Sequence, residues 1–122
     1  GLGDVYKRQV MGRKITIPYH LVASGGDSGE VELYEVPMAR KLRIKRIVTA
    51  FPIGVYGELE ISFYVGVKQV HPEKNSITGD GLVYDDDVDI EITSGSVLKL
   101  VYENKNATET REAFIHVLGE LE

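Results

Sequence analysis

The stretch GELEISFYVG, residues 57–66, alternates apolar and polar side chains without a break. Such alternation places successive side chains on opposite faces of an extended strand. One face carries only apolar side chains, those of Leu59, Ile61, Phe63 and Val65. The opposite face carries Glu58, Glu60, Ser62 and Tyr64. The stretch therefore predicts a β-strand with one face in a hydrophobic core and the other in water.

The remainder of the chain repeats segments of this kind. Strand-like runs occupy residues 14–23, 30–36, 41–51, 68–71, 88–92, 96–104 and 111–120, and turn-forming residues separate them. No stretch keeps a helical period long enough to cross between parallel strands. We therefore predict an all-β fold, a single antiparallel β-sandwich of about eight strands that spans residues 11–122. Its predicted core contains Leu59, Ile61, Phe63, Ile90, Ile92, Leu98 and Leu100.

Three local features refine this prediction. Pro18 lacks a backbone N–H, which favours an edge position for the strand that contains it. The alternation slips at Lys45 and Arg46, which indicates a β-bulge. A three-residue loop within residues 93–96 would pair the flanking strands as a hairpin, with Glu91 opposite Lys99.

The first ten residues differ from the rest, and we predict a non-native or disordered leader there. Residues 4–9, DVYKRQ, resemble the translation of an adaptor used in transposase-based sequencing libraries. That origin would mean that the sequence was read from environmental DNA and that Met11 begins the natural protein. A chain starting at Met11 shows no signal peptide. The alternative is that the adaptor truncated a longer gene. Beyond residue 9, glutamine occurs only at position 69, which favours a thermophilic source.

Composition excludes several function classes. The chain has 122 residues, no cysteine and a formal net charge of −5. The negative charge argues against nucleic-acid binding, and no apolar run is long enough for membrane insertion. The three histidines are scattered and match no metal or nucleophile motif. We therefore predict a protein that is not an enzyme and that has no organic cofactor.

The acidic run at residues 80–91 is the one candidate ligand site. Period two places Asp85, Asp87, Asp89 and Glu91 on one strand face, with Asp80 in the preceding loop. Oxygen ligands in this number could hold Ca²⁺, and the metal-site hypothesis consists of Asp80, Asp85, Asp87 and Asp89. The alternative is a solvated strand face whose charge blocks pairing with another sheet.

The last predicted strand is apolar on both faces. Ala113, Ile115 and Val117 share one face, and Phe114, His116 and Leu118 share the other. A two-layer sandwich covers only one face of each sheet. We therefore predict that Phe114, His116 and Leu118 form an interface in a homo-oligomer or a larger protein assembly.

The layout of the chain resembles the small jelly-roll and β-sandwich domains of virion proteins. The resemblance rests on residues 36–52 (VPMARKLRIKRIVTAFP), 57–72 (GELEISFYVGVKQVHP) and 94–120, which begin SGSVLKLVYEN. It implies a structural role as a capsid, decoration or fibre-head protein, located in the virion and working by assembly.

Two alternatives use the same fold. A secreted carbohydrate-binding or adhesive module would use exposed tyrosines such as Tyr64 and Tyr84 as stacking platforms, with Ca²⁺ at the acidic run. An extracellular filament or tube subunit would need an extended tail that donates a strand to its neighbour. Either alternative would place the protein outside the cell or at the cell surface.

Overall fold

A computed structural model describes residues 12–122, and in this part of the chain all regular secondary structure is β-strand. Predictions that concern residues 1–11, the leader among them, lie outside the described residues. The eight strands are β1 (Arg13–Ala23), β2 (Ser28–Glu35), β3 (Leu42–Phe51), β4 (Leu59–Val65), β5 (Lys68–His71), β6 (Leu82–Ile92), β7 (Val97–Asn104) and β8 (Arg111–Leu121). No helix in the described part of the chain has the length and apolar character needed to cross a bilayer.

The strands form two four-stranded antiparallel sheets. The first sheet has the order β1-β8-β3-β6, and the second has the order β2-β7-β4-β5. Within these sheets β1 pairs with β8, β2 with β7, β3 with β6 and β4 with β5. The chain thus runs as one long hairpin that turns between β4 and β5 and wraps into two layers, which is the jelly-roll arrangement. The predicted antiparallel sandwich is confirmed.

The core lies between the two sheets. Of the seven residues predicted for it, six are buried: Leu59, Ile61, Phe63, Ile92, Leu98 and Leu100. Ile90 is only half-buried, because β6 is the edge strand of its sheet and β5, at the facing edge, is only four residues long. A shallow open groove between β5 and β6 is lined by Val65, Val70, Val88 and Ile90 together with polar side chains.

Two of the local predictions are confirmed. β1 pairs only with β8 and is an edge strand of its sheet. The missing N–H of Pro18 therefore does not interrupt the hydrogen bonds of an interior strand. The register of β3 shifts between Ile44 and Arg46 against both of its neighbours, which is the expected bulge.

The predicted hairpin around residues 93–96 is wrong. β6 and β7 belong to different sheets, so Glu91 lies opposite Arg43 of β3 rather than Lys99. Lys99 lies opposite Glu32 of β2 and Tyr64 of β4. Alternation shows which side chains face the core but not which sheet carries them, and here the short connection crosses from one sheet to the other.

Four connections meet at one end of the sandwich, which we call the loop end: residues 24–27, 52–58, 72–81 and 105–110. Asn104, the last residue of β7, links two of these connections, residues 24–27 and 105–110. Its buried side-chain amide donates to the carbonyl oxygens of Ala23 at 3.1 Å, Ser24 at 3.0 Å and Glu109 at 2.9 Å. The N–H of Gly26 donates to the carbonyl oxygen of Asn106 at 2.6 Å. These bonds give the loop end a defined backbone structure.

Candidate assembly surface

The outer face of the first sheet divides into a charged half and an apolar half. The charged half lies away from the loop end. In this half, cationic side chains of β3 lie beside carboxylates of β6. Arg46 donates two hydrogen bonds to Asp85, both at 2.6 Å. Arg43 donates to Asp89 at 2.9 Å and to Glu91 at 3.3 Å. This half is a ladder of cross-strand ion pairs exposed to water.

The ion pairs account for most of the acidic run. Hydrogen bonds from Arg46 and Arg43 lower the pKa of Asp85 and of Asp89 respectively. Both carboxylates therefore favour the ionised state, and the neighbouring guanidinium groups neutralise their negative charge. The alternative to a metal site is a charged strand face that blocks pairing with another sheet, and it requires an edge strand. β6 is an edge strand of its sheet.

Asp80 lies apart from the other three residues of the metal-site hypothesis. Its carboxylate accepts the N–H groups of Gly54 at 2.7 Å and Val55 at 3.1 Å. These backbone bonds, led by that from Gly54, lower its pKa. Within residues 12–122 no three histidine, aspartate or glutamate side chains are grouped so that they could hold a metal ion. The structure therefore does not bring the four aspartates together as one ligand set.

Thermal melts in EDTA and in millimolar Ca²⁺ decide the calcium hypothesis. We expect the two melting temperatures to coincide, because Ca²⁺ would have to displace Arg46 from Asp85 and Arg43 from Asp89. A ligand that binds only the folded state raises the melting temperature as its concentration exceeds its dissociation constant. A rise with Ca²⁺ that disappears in Asp85→Asn would establish the site.

The apolar half of the same face begins at Phe114. Its ring stacks on that of His20, with the centroids 4.3 Å apart and the planes 7° from parallel. His20 in turn contacts Glu112 at 3.0 Å. Phe114, Ala50 and Val83 lie side by side in one row across β8, β3 and β6. The row presents mostly apolar surface to solvent.

More exposed apolar side chains lie at the loop end. Among residues 12–122, eight large hydrophobic side chains are exposed, and six of them lie at the loop end or on the adjoining half of the first sheet. We call these six the apolar patch: Val22, Ile53, Tyr56, Leu82, Val83 and Phe114. The other two, Met38 and Val67, lie at the opposite end of the sandwich. Such clustering is typical of a surface that another molecule covers.

The three residues predicted as an interface share the outer face of β8, and they differ in exposure. Phe114 and His116 are exposed, and Phe114 belongs to the apolar patch. Leu118 is half-buried and lies opposite Thr16 of β1 and Arg46 of β3, next to the charged half. Ala113, Ile115 and Val117 are buried. The burial of β8 therefore alternates as the sequence predicts, and other exposed apolar side chains lie toward the loop end.

Sequence reasoning missed Ile53 and Tyr56. The signal was present in residues 52–57, PIGVYG, where large apolar side chains occur in a turn rich in proline and glycine. Turn segments lie at the surface, so apolar residues in them are candidates for contact with a partner.

Comparison with known proteins supports the fold. The sequence matches no protein-family model and no curated protein. Among solved structures, the acid-stable capsid of the Helicobacter pylori bacteriophage KHP30 superposes with a TM-score of 0.54 at 16% identity, over 90% of this chain and 93% of that chain. The chain has the fold of a capsid jelly roll.

Two further capsid structures agree. The capsid of cyanophage Pam1 gives a TM-score of 0.52 at 9% identity, over 89% of this chain and 85% of that chain. A mutant VP2 protein of infectious bursal disease virus gives 0.50 at 12% identity, over 92% of this chain and 35% of its own. At these identities the likeness establishes the fold and not the function.

Proposed function

We propose that this chain is a non-enzymatic structural subunit that assembles with further copies of itself in a virion. The observation that carries the proposal is the apolar patch, which collects six of the eight exposed large hydrophobic side chains at one end of a jelly roll. Exposed large hydrophobic side chains that cluster on one part of a surface mark a site of interaction more often than those scattered singly. Contact with another copy would remove these side chains from water.

The proposed virion location rests on the known structures that share this fold. Chains from two phage capsid structures match this chain over most of both lengths, with TM-scores of 0.54 and 0.52. A capsid, decoration or fibre-head subunit works by contacts between subunits, which requires a docking surface and no catalytic site. The apolar patch supplies such a surface.

Two of the three histidines and both tyrosines proposed as carbohydrate platforms are engaged in internal contacts. His20 contacts Glu112 and His71 contacts Asp86, each at 3.0 Å, and within residues 12–122 neither ring bonds a serine or threonine hydroxyl. The proposed carbohydrate platforms Tyr64 and Tyr84 are half-buried, and their hydroxyls donate to Gln69 and to the carbonyl oxygen of Thr78. These contacts favour a structural role over an enzyme or a module that uses these two tyrosines.

Replacing Phe114 by serine tests the proposal. We expect the dissociation constant for self-association, measured by sedimentation equilibrium, to rise at least about tenfold, because an exposed aromatic anchor is lost from the contact. The melting temperature of the dissociated chain should change little, since the ring is already in contact with water.

Val67→Ser is the matched control for this experiment. It removes an exposed apolar side chain from the turn between β4 and β5, far from the apolar patch. We expect it to leave association unchanged. Association that is insensitive to Phe114→Ser would contradict the proposed surface.

A further inference from the structure

Each sheet has two edge strands, β1 and β6 in the first sheet and β2 and β5 in the second. Proteins protect sheet edges from pairing with other molecules by prolines, bulges, short strands or charges that point inward. β1 contains Pro18, which lacks a backbone N–H. The register of β2 shifts between Glu32 and Tyr34, and β5 is only four residues long. Three of the four edges therefore carry a feature that hinders strand pairing.

The fourth edge strand, β6, is long and contains neither proline nor glycine. It has 11 residues, whereas a strand usually has about 5–6. Its register against β3 shifts between residues 87 and 90, so residues 82–87 form a regular stretch. Leu82 and Val83 in this stretch are exposed. A regular edge with exposed apolar side chains is a template on which another strand can pair.

Asp86 is the charged side chain of β6 that points between the two sheets. It lies opposite the buried Ile47 of β3, and its carboxylate lies 3.0 Å from Nε2 of His71 on β5. The side chain of His71 is 14% exposed and that of Asp86 is 39% exposed, so water reaches the carboxylate at the open edge. A strand added to β6 would displace this water. Removing a carboxylate from water without new hydrogen bonds is costly.

The outer carboxylates of β6 do not have this effect. Asp85 and Asp89 bind Arg46 and Arg43 on the outer face of the sheet. This face stays in contact with water when a strand is added in the plane of the sheet, so its charges need not be desolvated. Only the inward carboxylate opposes such an addition through its burial.

We propose that Asp86 protects the free edge of β6 from pairing with a strand of another molecule, and that His71 holds its carboxylate in place. All four sheet edges are then protected, so copies of this chain meet through side chains and not through a continuous sheet. The inference goes beyond the proposed function and does not depend on it. It argues against a filament subunit that donates a strand, because the donated strand would need a free edge.

Asp86→Val and Asp87→Val in the full chain test the proposal as a matched pair, since they make the same change at adjacent positions on opposite faces of β6. We expect Asp86→Val to form oligomers that bind thioflavin T and that are detected by sedimentation velocity. Amide hydrogen exchange along β6 should slow at least about tenfold in these oligomers, because its free N–H groups become bonded. Asp87→Val should match the wild type in both measurements.

A double variant, His71→Leu with Asp86→Val, repeats the test without leaving His71 deprived of its carboxylate. Replacing an interior charged pair by apolar residues of similar size is often neutral or stabilising. We expect the same oligomers and the same slowed exchange along β6, with a melting curve that shows a folded chain at low concentration. A double variant that fails to fold would show that the pair is needed for stability and would overturn the protective role.

The other outcomes separate this inference from the proposed function. Absence of oligomers in both Asp86 variants would overturn the inference, as would oligomers in which exchange along β6 is not slowed. The same slowed exchange in Asp87→Val would also overturn it. Wild-type association that slows exchange along β6 would overturn the inference and leave the assembly proposal standing. A wild-type chain that never associates would overturn the assembly proposal alone.

Discussion

Replacing Ile115 by serine is expected to unfold the domain. Ile115 is fully buried in β8, between Tyr19 of β1 and Thr49 of β3. Truncating a buried isoleucine costs about 2–5 kcal/mol, and a serine hydroxyl without a partner adds about 1–3 kcal/mol. The sum is comparable with the total stability of a small domain, about 5–15 kcal/mol.

Urea unfolding measures this effect, and the adjacent residue provides the control. Phe114 lies on the opposite face of the same strand, so Phe114→Ser is expected to lower the free energy of unfolding by less than about 1 kcal/mol. Similar losses of stability at the two positions would show that the outer face of the first sheet is covered within the chain, which contradicts the surface described above.

A second large effect is expected from Gly119→Ala. A Cβ atom at Gly119 would lie 2.5 Å from the carbonyl oxygen of Arg43 and 3.2 Å from Cα of Ile44. Both neighbours are backbone atoms of β3 beside its bulge, so no flexible side chain can move away. We expect the free energy of unfolding to fall by about 3 kcal/mol, at the upper end of the usual cost of overpacking.

Gly29→Ala is the matched control for this substitution. Gly29 is also in a strand, but the three atoms nearest to a Cβ there belong to the side chain of Tyr102, at 3.4 Å or more. We expect its free energy of unfolding to remain within about 0.5 kcal/mol of the wild-type value. Equal effects at the two glycines would mean that the strand environment, and not the close approach of β3, sets the cost.

The strands and their faces could be predicted from the sequence because the direction of the side chains along a strand repeats every two residues. Leu59, Ile61 and Phe63 are buried as the alternation in residues 57–66 requires. Phe114 and Ile115 lie on opposite faces for the same reason. Pro18 indicated an edge strand because a missing N–H is a local property.

Pairing and loop contacts could not be predicted in this way, because they depend on parts of the chain far apart in sequence. Glu91 pairs with Arg43 and not with Lys99, since the jelly-roll path joins β6 to β3. The sequence places Asp80 near other acidic residues, whereas in the fold its carboxylate accepts hydrogen bonds from the backbone of residues 54 and 55. The backbone of β3 approaches Gly119 closely beside the bulge of β3, which lies about 75 residues earlier in the sequence.

The apolar patch is small for a stand-alone interface. Its six side chains are fewer than the roughly 20 residues that each partner contributes to a stable complex. A single contact of this kind is expected to be weak, and several contacts per subunit would be needed for a stable shell. Assembly should therefore depend steeply on protein concentration.

Light scattering on the full wild-type chain across a micromolar concentration series tests the central claim most directly. The monomer has a mass of 13.6 kDa. Assembly through the apolar patch predicts a weight-average mass that rises above this value with concentration and that falls back toward it in Phe114→Ser. A mass of one monomer at every concentration would contradict the claim that this jelly roll is an assembly subunit.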